Sequence, residues 1–195
     1  MQMRKKNKIV LEGNNLDSVP EILPAWATMV RKLGYGEGFM KGVREAGHAK
    51  PTPVQMQSIP VVAEERDAII LAETGSGKSL AFFAPLVEKI KRGDGLKCFV
   101  IAPTRELTIQ LYKEFLMFLE QSGRLNNGCR VKFMRKALFP STEEDLKKLT
   151  KSVEIIIGTP LKMAQLVEKF PNQIGGLKFM VLDEADKMFE LGFQE

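Results

Sequence analysis

The stretch "DAIILAETGSGKS", residues 67–79, decides the fold predicted for this chain. A short apolar run with β-branched residues leads directly into a glycine-rich turn, and the residues that follow, 78–92, have the apolar spacing of a helix. A strand that passes through glycines into a helix is the context in which a phosphate-binding loop occurs. The stretch therefore predicts an α/β domain with an anion site where the helix begins.

The glycine-rich turn has the residue types that bind a nucleoside triphosphate. Gly75 and Gly77 allow backbone conformations that turn N–H groups toward phosphate oxygens at a helix N-terminus. Lys78 adds a positive charge near the terminal phosphates, and Ser79 offers a hydroxyl to Mg²⁺. The alternative is a glycine turn that only caps a helix, and the preceding strand argues against it. The predicted nucleotide contacts are Thr74, Gly75, Ser76, Gly77, Lys78 and Ser79.

The rest of the chain alternates between short apolar runs and segments with helical spacing. Such alternation predicts right-handed crossovers and a mostly parallel central sheet with helices on both faces. Residues 1–25 mix charge, glycine and proline, and we expect an irregular leader there, followed by one domain over residues 26–195. Besides residues 67–72, the predicted strands are 97–102, 129–134, 153–158 and 178–183.

Composition excludes several classes of protein. No apolar run is long enough for a membrane-spanning helix, and the basic start "MQMRKKNKIV" lacks the apolar stretch of a signal peptide, so we expect a soluble, intracellular protein. The basic cluster at residues 4–8 is expected to belong to a flexible, solvated terminus. Cys98 and Cys129 are predicted to be buried free thiols, because neither has a second ligand at metal-binding spacing. The net charge of +5 does not identify a partner.

Acidic residues follow the last predicted strand. Asp183 ends that strand and can reach Mg²⁺, while Glu184 can orient or deprotonate the water that attacks the γ-phosphate. The alternative is that these carboxylates only cap the helix that follows, where its dipole favours negative charge. Beside a phosphate-binding loop we predict a catalytic set of Lys78, Asp183 and Glu184, with Ser79 and Asp183 as the metal ligands.

Several separated motifs match one family. "AETGSGKS", "PTRELTIQ", "GTPLKM" and "DEAD" (183–186) occur in the order and roughly the spacing of the DEAD-box RNA helicases, and "GHAKPTPVQMQSIP" is similar to the adenine-recognition motif of that family. From about residue 26 to its end, the chain resembles the first RecA-like domain of these P-loop NTPases. The resemblance implies ATP and Mg²⁺ as cofactors, RNA bound through its backbone, and a monomer that works with a second RecA-like domain.

The resemblance also implies roles for individual residues. Gln55 would hydrogen-bond the adenine edge, since an amide offers a donor and an acceptor together, and Lys50 would be a further nucleotide contact. Trp26 is the predicted aromatic that stacks on the base. Phe39 is its competitor, but it lies in a helical pattern and is expected in the core. The predicted RNA contacts are Pro103, Thr104, Arg105, Thr159, Pro160 and Lys162.

This sequence departs from the family pattern in the RNA-binding segments. Lys162 stands where arginine is usual, so the charge is kept but the guanidinium fork is lost. The double glycine of the family is replaced by "KFMRKALFPST" (132–142), so that one RNA contact is either rebuilt by Arg135 and Lys136 or absent. Pro-Thr at a helix start is also an ordinary N-terminus, which is the alternative for these segments.

We expect the ATP-binding domain of an ATP-dependent RNA helicase. The alternatives are another P-loop ATPase motor and an RNA scaffold that works without ATP. The resemblance is strongest to the subgroup linked with assembly of the small ribosomal subunit, which implies a nuclear or nucleolar location. The Ser-Ala-Thr motif and the arginines of the second domain do not follow "ELGFQE", so the 195-residue chain alone is expected to be nearly inactive.

Overall fold

The computed structural model describes residues 2–126, 128–134, 138–171 and 174–193. Within them the chain forms two compact units: unit 1 runs to Lys89 and includes Gln121–Gly123, and unit 2 comprises Ile90–Glu120 and the chain from Arg124 onward. The described helices, in chain order, are α1 (Gln2–Lys6), α2 (Trp26–Leu33), α3 (Glu37–Glu45), α4 (Pro53–Ala63), α5 (Lys78–Lys89), α6 (Arg105–Gln121), α7 (Glu143–Ser152), α8 (Pro160–Lys169) and α9 (Ala185–Glu190).

Unit 2 is built on a parallel sheet. Its strands, among the described residues, are β1 (Cys98–Ile101), β2 (Val131–Phe133), β3 (Ile155–Gly158) and β4 (Phe179–Leu182), in the order β2-β3-β1-β4. All three neighbouring pairs are parallel. Every residue of β1 and β3 is buried, so both faces of the central strands are covered. The predicted α/β class and four of the five predicted strands are therefore confirmed.

The core of unit 2 lies between the sheet and the helices after β2. Phe99 from β1 and Ile156 from β3 are both 0% exposed and belong to one apolar cluster with Leu146 of α7 and Leu166 of α8. Adjacent parallel strands place Phe99 beside Ile156 in register, so the two side chains share one face of the sheet. The same cluster includes Met188 of α9 and thereby fixes the helix that follows β4.

Unit 1 is helical. α4 and α5 pack along one another, and α2 packs against both α3 and α4. α2 ends at Gly34, whose φ of 68° is the left-handed conformation in which glycine commonly terminates a helix. The buried side chains Met29, Val43 and Ile59, all 0% exposed, come from three different helices. The segment 67–77 leads from these helices into α5, and Gly77 at its end is hydrogen-bonded to Gln55 of α4.

The predicted strand over residues 67–72 does not form. Ile69 is 92% exposed and Leu71 is 91% exposed, and no described strand pairs with this segment. An extended segment becomes a stable strand only when a neighbour satisfies its backbone hydrogen bonds and covers its apolar face. The apolar residues that predicted the strand would be buried if a neighbouring strand paired with this segment. Among the described residues no strand does so, and the side chains of Ile69 and Leu71 stay exposed.

The leader is more ordered than the sequence predicts. It contains α1 and a short 3₁₀ turn at Leu16–Ser18, and Leu23 is only 2% exposed. Arg4 donates from Nε to Gln57 Oε1 at 2.7 Å and from Nη2 to Pro20 O at 2.8 Å. The expected solvated terminus is thus wrong for Arg4, because the guanidinium finds partners within unit 1 that the linear sequence does not show.

Two further predictions concern the cysteine thiols and membrane-spanning helices. Cys98 and Cys129 are free and buried, as predicted. Burial raises the pKa of both thiols, that of Cys129 to about 12, so neither has the character of a reactive thiolate. Across the ranges that the structure describes, the helices are too short or too polar for any of them to cross a membrane.

Candidate nucleotide and RNA sites

The glycine-rich turn forms a tight loop in front of α5. Gly75 and Gly77 have φ values of 79° and 90°, which side chains rarely adopt. Lys78, the first residue of α5, folds back and donates from Nζ to Ala72 O at 2.5 Å and to Glu73 O at 2.9 Å. The loop therefore has the predicted turn at the predicted helix N-terminus, with the lysine ammonium held by carbonyl oxygens of the loop itself.

Gln55 connects this loop to the start of α4. The side chain is 0% exposed; its Oε1 accepts from the Thr52 backbone N–H at 2.9 Å, and its Nε2 donates to Gly77 O at 3.1 Å. A Cβ added at Gly77 would lie 2.3 Å from Gln55 Nε2, so only glycine allows this close approach. The structure thus brings together two residues that the sequence predicts for the same nucleotide site.

One buried hydroxyl of the loop, Ser76 Oγ, lacks a hydrogen-bond partner among the described residues. A buried polar atom without a partner is costly, and a ligand that supplies the partner is one explanation. The first turn of α5 contains no acidic residue, and its backbone N–H groups and Lys78 together favour an anion. The residues present therefore fit a phosphate group.

The predicted base-stacking residue lies in the core of unit 1. Trp26 is 4% exposed, its Nε1 donates to His48 O at 2.8 Å, and its ring meets Phe39 edge-on at 5.7 Å between centroids. Phe39 is 1% exposed and contacts Tyr35 at 5.0 Å, in agreement with its predicted core position. Stacking on a base needs an accessible ring face, so the role of Trp26 stays a prediction. Lys50 is exposed.

The acidic pair follows β4 directly. The Asp183 N–H donates to Ile101 O at 2.9 Å, which extends the hydrogen bonding between β4 and β1 by one residue. Glu184 caps α9 with φ 52° and ψ 47°, a left-handed conformation that costs a non-glycine residue about 1–2 kcal/mol. Its Oε2 accepts from Lys187 Nζ at 2.6 Å, and this hydrogen bond raises the pKa of Lys187. Backbone strain of this kind is found more often at functional sites than elsewhere.

The predicted RNA contacts come together at the carboxyl ends of two neighbouring strands. Ile101 pairs in register with Gly158, so the segments after β1 and β3 leave the sheet at the same edge. Thr104 Oγ1 accepts from the Leu107 N–H at 3.3 Å at the start of α6, and Arg105 is exposed. α8 begins at Pro160, and the Thr159 side chain does not cap it. Two helix N-termini therefore face one edge, which suits phosphate groups.

Lys162 has a partner that sequence reasoning missed. Its Nζ lies 5.2 Å from the centroid of the Phe139 ring and donates to Gln165 Oε1 at 2.9 Å. The only sequence signal for this contact is Phe139 itself, one of two phenylalanines in "KFMRKALFPST". That signal is too weak to identify Lys162, 23 residues further along the chain, as its partner. Arg135 and Lys136, the predicted replacements for the double glycine, lie outside the described residues.

Comparison with known proteins places these features in one family. A family model described as "DEAD/DEAH box helicase" matches residues 52–195. The "DEAD-box ATP-dependent RNA helicase 57" of Oryza sativa subsp. japonica is 36% identical over 197 residues, covering 99% of this chain and 34% of that protein. The "Probable ATP-dependent RNA helicase ddx52" of Dictyostelium discoideum is 30% identical over 195 residues, covering 98% of this chain and 28% of that protein.

A solved structure of a DEAD-box protein matches the fold of this chain. The crystal structure of the yeast DEAD-box splicing factor Prp28 matches with a TM-score of 0.79 at 29% identity, covering 99% of this chain and 45% of that chain. The chain thus spans less than half the length of each of these three proteins. The motif order, the phosphate loop at the start of α5 and these matches together show that the chain belongs to the DEAD/DEAH box helicase family.

Proposed function

We propose that this chain is the ATP-binding domain of an ATP-dependent RNA helicase that unwinds RNA duplexes locally or remodels RNA–protein complexes. The main support is the hydrogen bond from Gln55 to the Gly77 carbonyl, which fixes an amide beside the phosphate loop of a DEAD/DEAH box chain. Each end of an amide can form a second hydrogen bond, so Gln55 would read a base edge through its remaining N–H and lone pair once the bound nucleotide reaches its buried side chain. In this proposal residues 26–195 are the first RecA-like domain, and a second RecA-like domain is its partner.

Binding of ATP would begin at the loop from Thr74 to Ser79. Its backbone N–H groups and the dipole of α5 attract the phosphates. The ammonium of Lys78 exchanges the carbonyl oxygens of Ala72 and Glu73 for phosphate oxygens, a stronger, charge-assisted contact. Trp26 and Lys50 are the remaining proposed contacts, and Trp26 would have to turn a ring face out of the core to stack on adenine.

Mg²⁺ is part of the proposal, with Ser79 and Asp183 as its ligands. Within the described ranges, no group of three or more His, Cys, Asp or Glu side chains is placed to hold a metal. Magnesium at phosphate sites keeps several waters and needs few carboxylates, so a hydroxyl and one carboxylate are sufficient protein ligands. When bound, the ion would neutralise charge on the phosphates.

Glu184 is the proposed base for the attacking water. Its Oε2 now accepts from Lys187 Nζ at 2.6 Å, which holds the carboxylate beside the first turn of α9. A carboxylate can accept a proton from, or orient, a water molecule. In this role Glu184 would release the Lys187 ammonium and accept a hydrogen bond from the attacking water instead. Lys187 would stay close enough to offset the negative charge of the carboxylate.

RNA is the proposed macromolecular partner. The six candidate contacts lie at the carboxyl ends of β1 and β3. Their helix N-termini, two threonine hydroxyls and two cations suit phosphates and 2′-hydroxyls rather than base edges. The contacts would therefore be independent of base sequence. We further propose that the protein is a monomer and that it acts in the nucleus or nucleolus, in assembly of the small ribosomal subunit. The motif resemblance supports both points.

Two binding measurements test the proposal together. Calorimetry with ATP and Mg²⁺ measures nucleotide binding, and fluorescence anisotropy with a labelled single-stranded RNA at low salt measures RNA binding. We expect both ligands to bind, and the RNA to bind more tightly than DNA of the same sequence, because the 2′-hydroxyl is contacted. RNA binding without nucleotide binding would favour the scaffold, and nucleotide binding without RNA binding would favour another P-loop motor.

A further inference from the structure

Phe139 lies between the apolar core of unit 2 and a lysine. On one side its half-buried ring packs against the core cluster that contains Leu146 and Met163. On the other side the ammonium of Lys162 stands over the ring at 5.2 Å from its centroid. A cation within about 6 Å of an aromatic face is attracted by the negative charge on that face. The ring is therefore held by the core and in turn holds the ammonium.

The position of Lys162 matters for RNA. It is the third residue of α8, one turn from the N-terminus where Thr159 leaves backbone N–H groups without a side-chain cap. Its ammonium also donates to Gln165 Oε1 at 2.9 Å, so two contacts restrict a side chain that is otherwise flexible. An ammonium restricted in this way, on a residue of the first turn of α8, is prepared to bind a phosphate before the phosphate arrives.

A second lysine prevents Phe139 from moving independently of α8. Lys169 donates from Nζ to Ser141 O at 2.9 Å and to Pro140 O at 3.4 Å, and it stands over the Phe170 ring at 5.3 Å. The residues directly after Phe139 are thus fastened to the C-terminal half of α8, while Phe139 itself contacts Lys162 near the N-terminal half. The segment that carries the ring is therefore joined to α8 at two places.

We propose that Phe139 is a positioning residue for RNA binding, because it fixes the Lys162 ammonium where an RNA phosphate meets the N-terminus of α8. Both residues come from segments in which this sequence departs from the DEAD-box pattern, and here the two departures contact each other. A lysine lacks the guanidinium fork that orients an arginine on a phosphate, and a fixed ammonium loses less freedom on binding. The inference rests on the proposed RNA-binding function.

A double-mutant cycle tests this role. Phe139→Leu keeps an apolar side chain on the core but removes the ring, and Lys162→Gln removes the charge. Anisotropy with a labelled single-stranded RNA should show that Phe139→Leu weakens binding about two- to fivefold, as expected for a partly exposed cation–π contact. In the Lys162→Gln background, Phe139→Leu should have no further effect. Phe139→Tyr, which keeps the ring, should retain the affinity of the parent chain.

Salt dependence gives a readout that a purely structural role would not change. Lys162→Gln should lower the slope of log affinity against log salt by about one, since one phosphate contact is lost. Phe139→Leu should lower the slope by less than this and Phe139→Tyr not at all. Thermal melts of every variant check the fold, and Phe139→Met, a side chain of similar size, replaces Phe139→Leu if that variant melts early.

The outcomes separate this inference from the proposed function. If the parent chain binds no RNA, both are overturned. If Lys162→Gln weakens RNA binding but neither Phe139→Leu nor Phe139→Met does, the positioning role alone is overturned. If Phe139→Leu weakens binding equally with and without Lys162, the ring acts on RNA directly and the positioning role is again wrong.

Discussion

The Nε2 atom of Gln55 donates to the carbonyl oxygen of Gly77 across 3.1 Å, and this bond joins the start of α4 to the phosphate loop. The same amide accepts from the Thr52 N–H, so it also closes the first turn of α4. Because Gln55 is 0% exposed, neither bond competes with bulk water. A nucleotide that moves the loop would therefore also disturb the hydrogen bonds of Gln55 at the start of α4.

Gly77→Ala should disrupt this connection. The added Cβ would lie 2.3 Å from Gln55 Nε2, and the φ of 90° is unfavourable for alanine. We expect a lower melting temperature and loss of ADP affinity, measured by circular dichroism and calorimetry. Gly123→Ala is the control, since Gly123 has a φ of 69° with no atom within 4 Å of the added Cβ. The control should lose stability by about 1–2 kcal/mol but keep ADP affinity; equal loss of affinity in both would contradict the role of the Gln55 bond.

Lys78→Ala should remove phosphate-dependent affinity and leave the fold intact. Lys78 bonds only to carbonyl oxygens of its own loop in the contacts described, and no core side chain depends on it. ADP affinity should fall about ten- to a hundredfold, since a hydrogen bond to a charged group contributes about 1.5–3 kcal/mol. Lys89→Ala, at the other end of α5, is the control. Unchanged affinity would remove Lys78 from the site, and a large fall in melting temperature would make it structural.

Trp26 provides an optical test of base stacking. It is the single tryptophan of the chain, so intrinsic tryptophan fluorescence reports on this residue alone. If Trp26 turns out of its 4% exposed position to stack on adenine, saturating ADP should quench or shift its emission. Calorimetry on the same sample establishes saturation. An unchanged spectrum at full occupancy would show that Trp26 stays in the core.

Glu154 should make the stability of unit 2 depend on pH. Its side chain is 0% exposed, and its carboxylate accepts from the Arg130 N–H at 2.6 Å and from the Gly93 N–H at 3.0 Å. Burial alone would raise the pKa of Glu154, but these hydrogen bonds and the Arg130 guanidinium outweigh it, and the pKa lies below its ordinary value. The stabilisation is therefore present above the unfolded-state pKa and is lost as pH falls through the folded-state pKa.

Glu154→Gln tests that dependence. The variant should lower the free energy of unfolding by about 1–3 kcal/mol at neutral pH, and its stability should change less than that of the parent chain on acidification. Urea denaturation at about pH 7 and about pH 3, below the ordinary glutamate pKa of about 4.3, measures both effects. Glu168→Gln, an exposed carboxylate on α8, is the control. Equal pH dependence of the parent chain and Glu154→Gln would show that Glu154 contributes nothing to it.

Local patterns were sufficient to predict most of the fold. The runs 97–102, 129–134, 153–158 and 178–183 each contain one observed strand. The two central strands, β1 and β3, are buried along their whole length, and such strands need continuous apolar residues. The glycine turn before α5 was also predictable, since its chemistry depends on adjacent residues. The run at 67–72 has the same apolar character but no partner strand, and pairing is a property of the whole fold that a local pattern does not contain.

Contacts between distant residues were not predictable. Glu154 and Arg130 are 24 residues apart and appear in the sequence as ordinary charges, although they form an ion pair in which Glu154 is buried. The sequence likewise gives no sign that Phe139 contacts Lys162. It also does not show that Trp26 is buried and donates to His48 O. Sequence motifs predicted which residue types form the candidate sites, but tertiary packing decides which of them are held, exposed or ion-paired.

Comparison of ADP with GDP shows whether Gln55 and the loop at 72–79 form one adenine-nucleotide site. The two ligands share their phosphates and ribose, so a difference in affinity can come only from the base. Calorimetric titration of the 195-residue chain with Mg²⁺ present should show ADP binding about tenfold more tightly than GDP, the equivalent of one unmatched hydrogen bond of about 1.4 kcal/mol. Equal affinities for ADP and GDP would contradict the account.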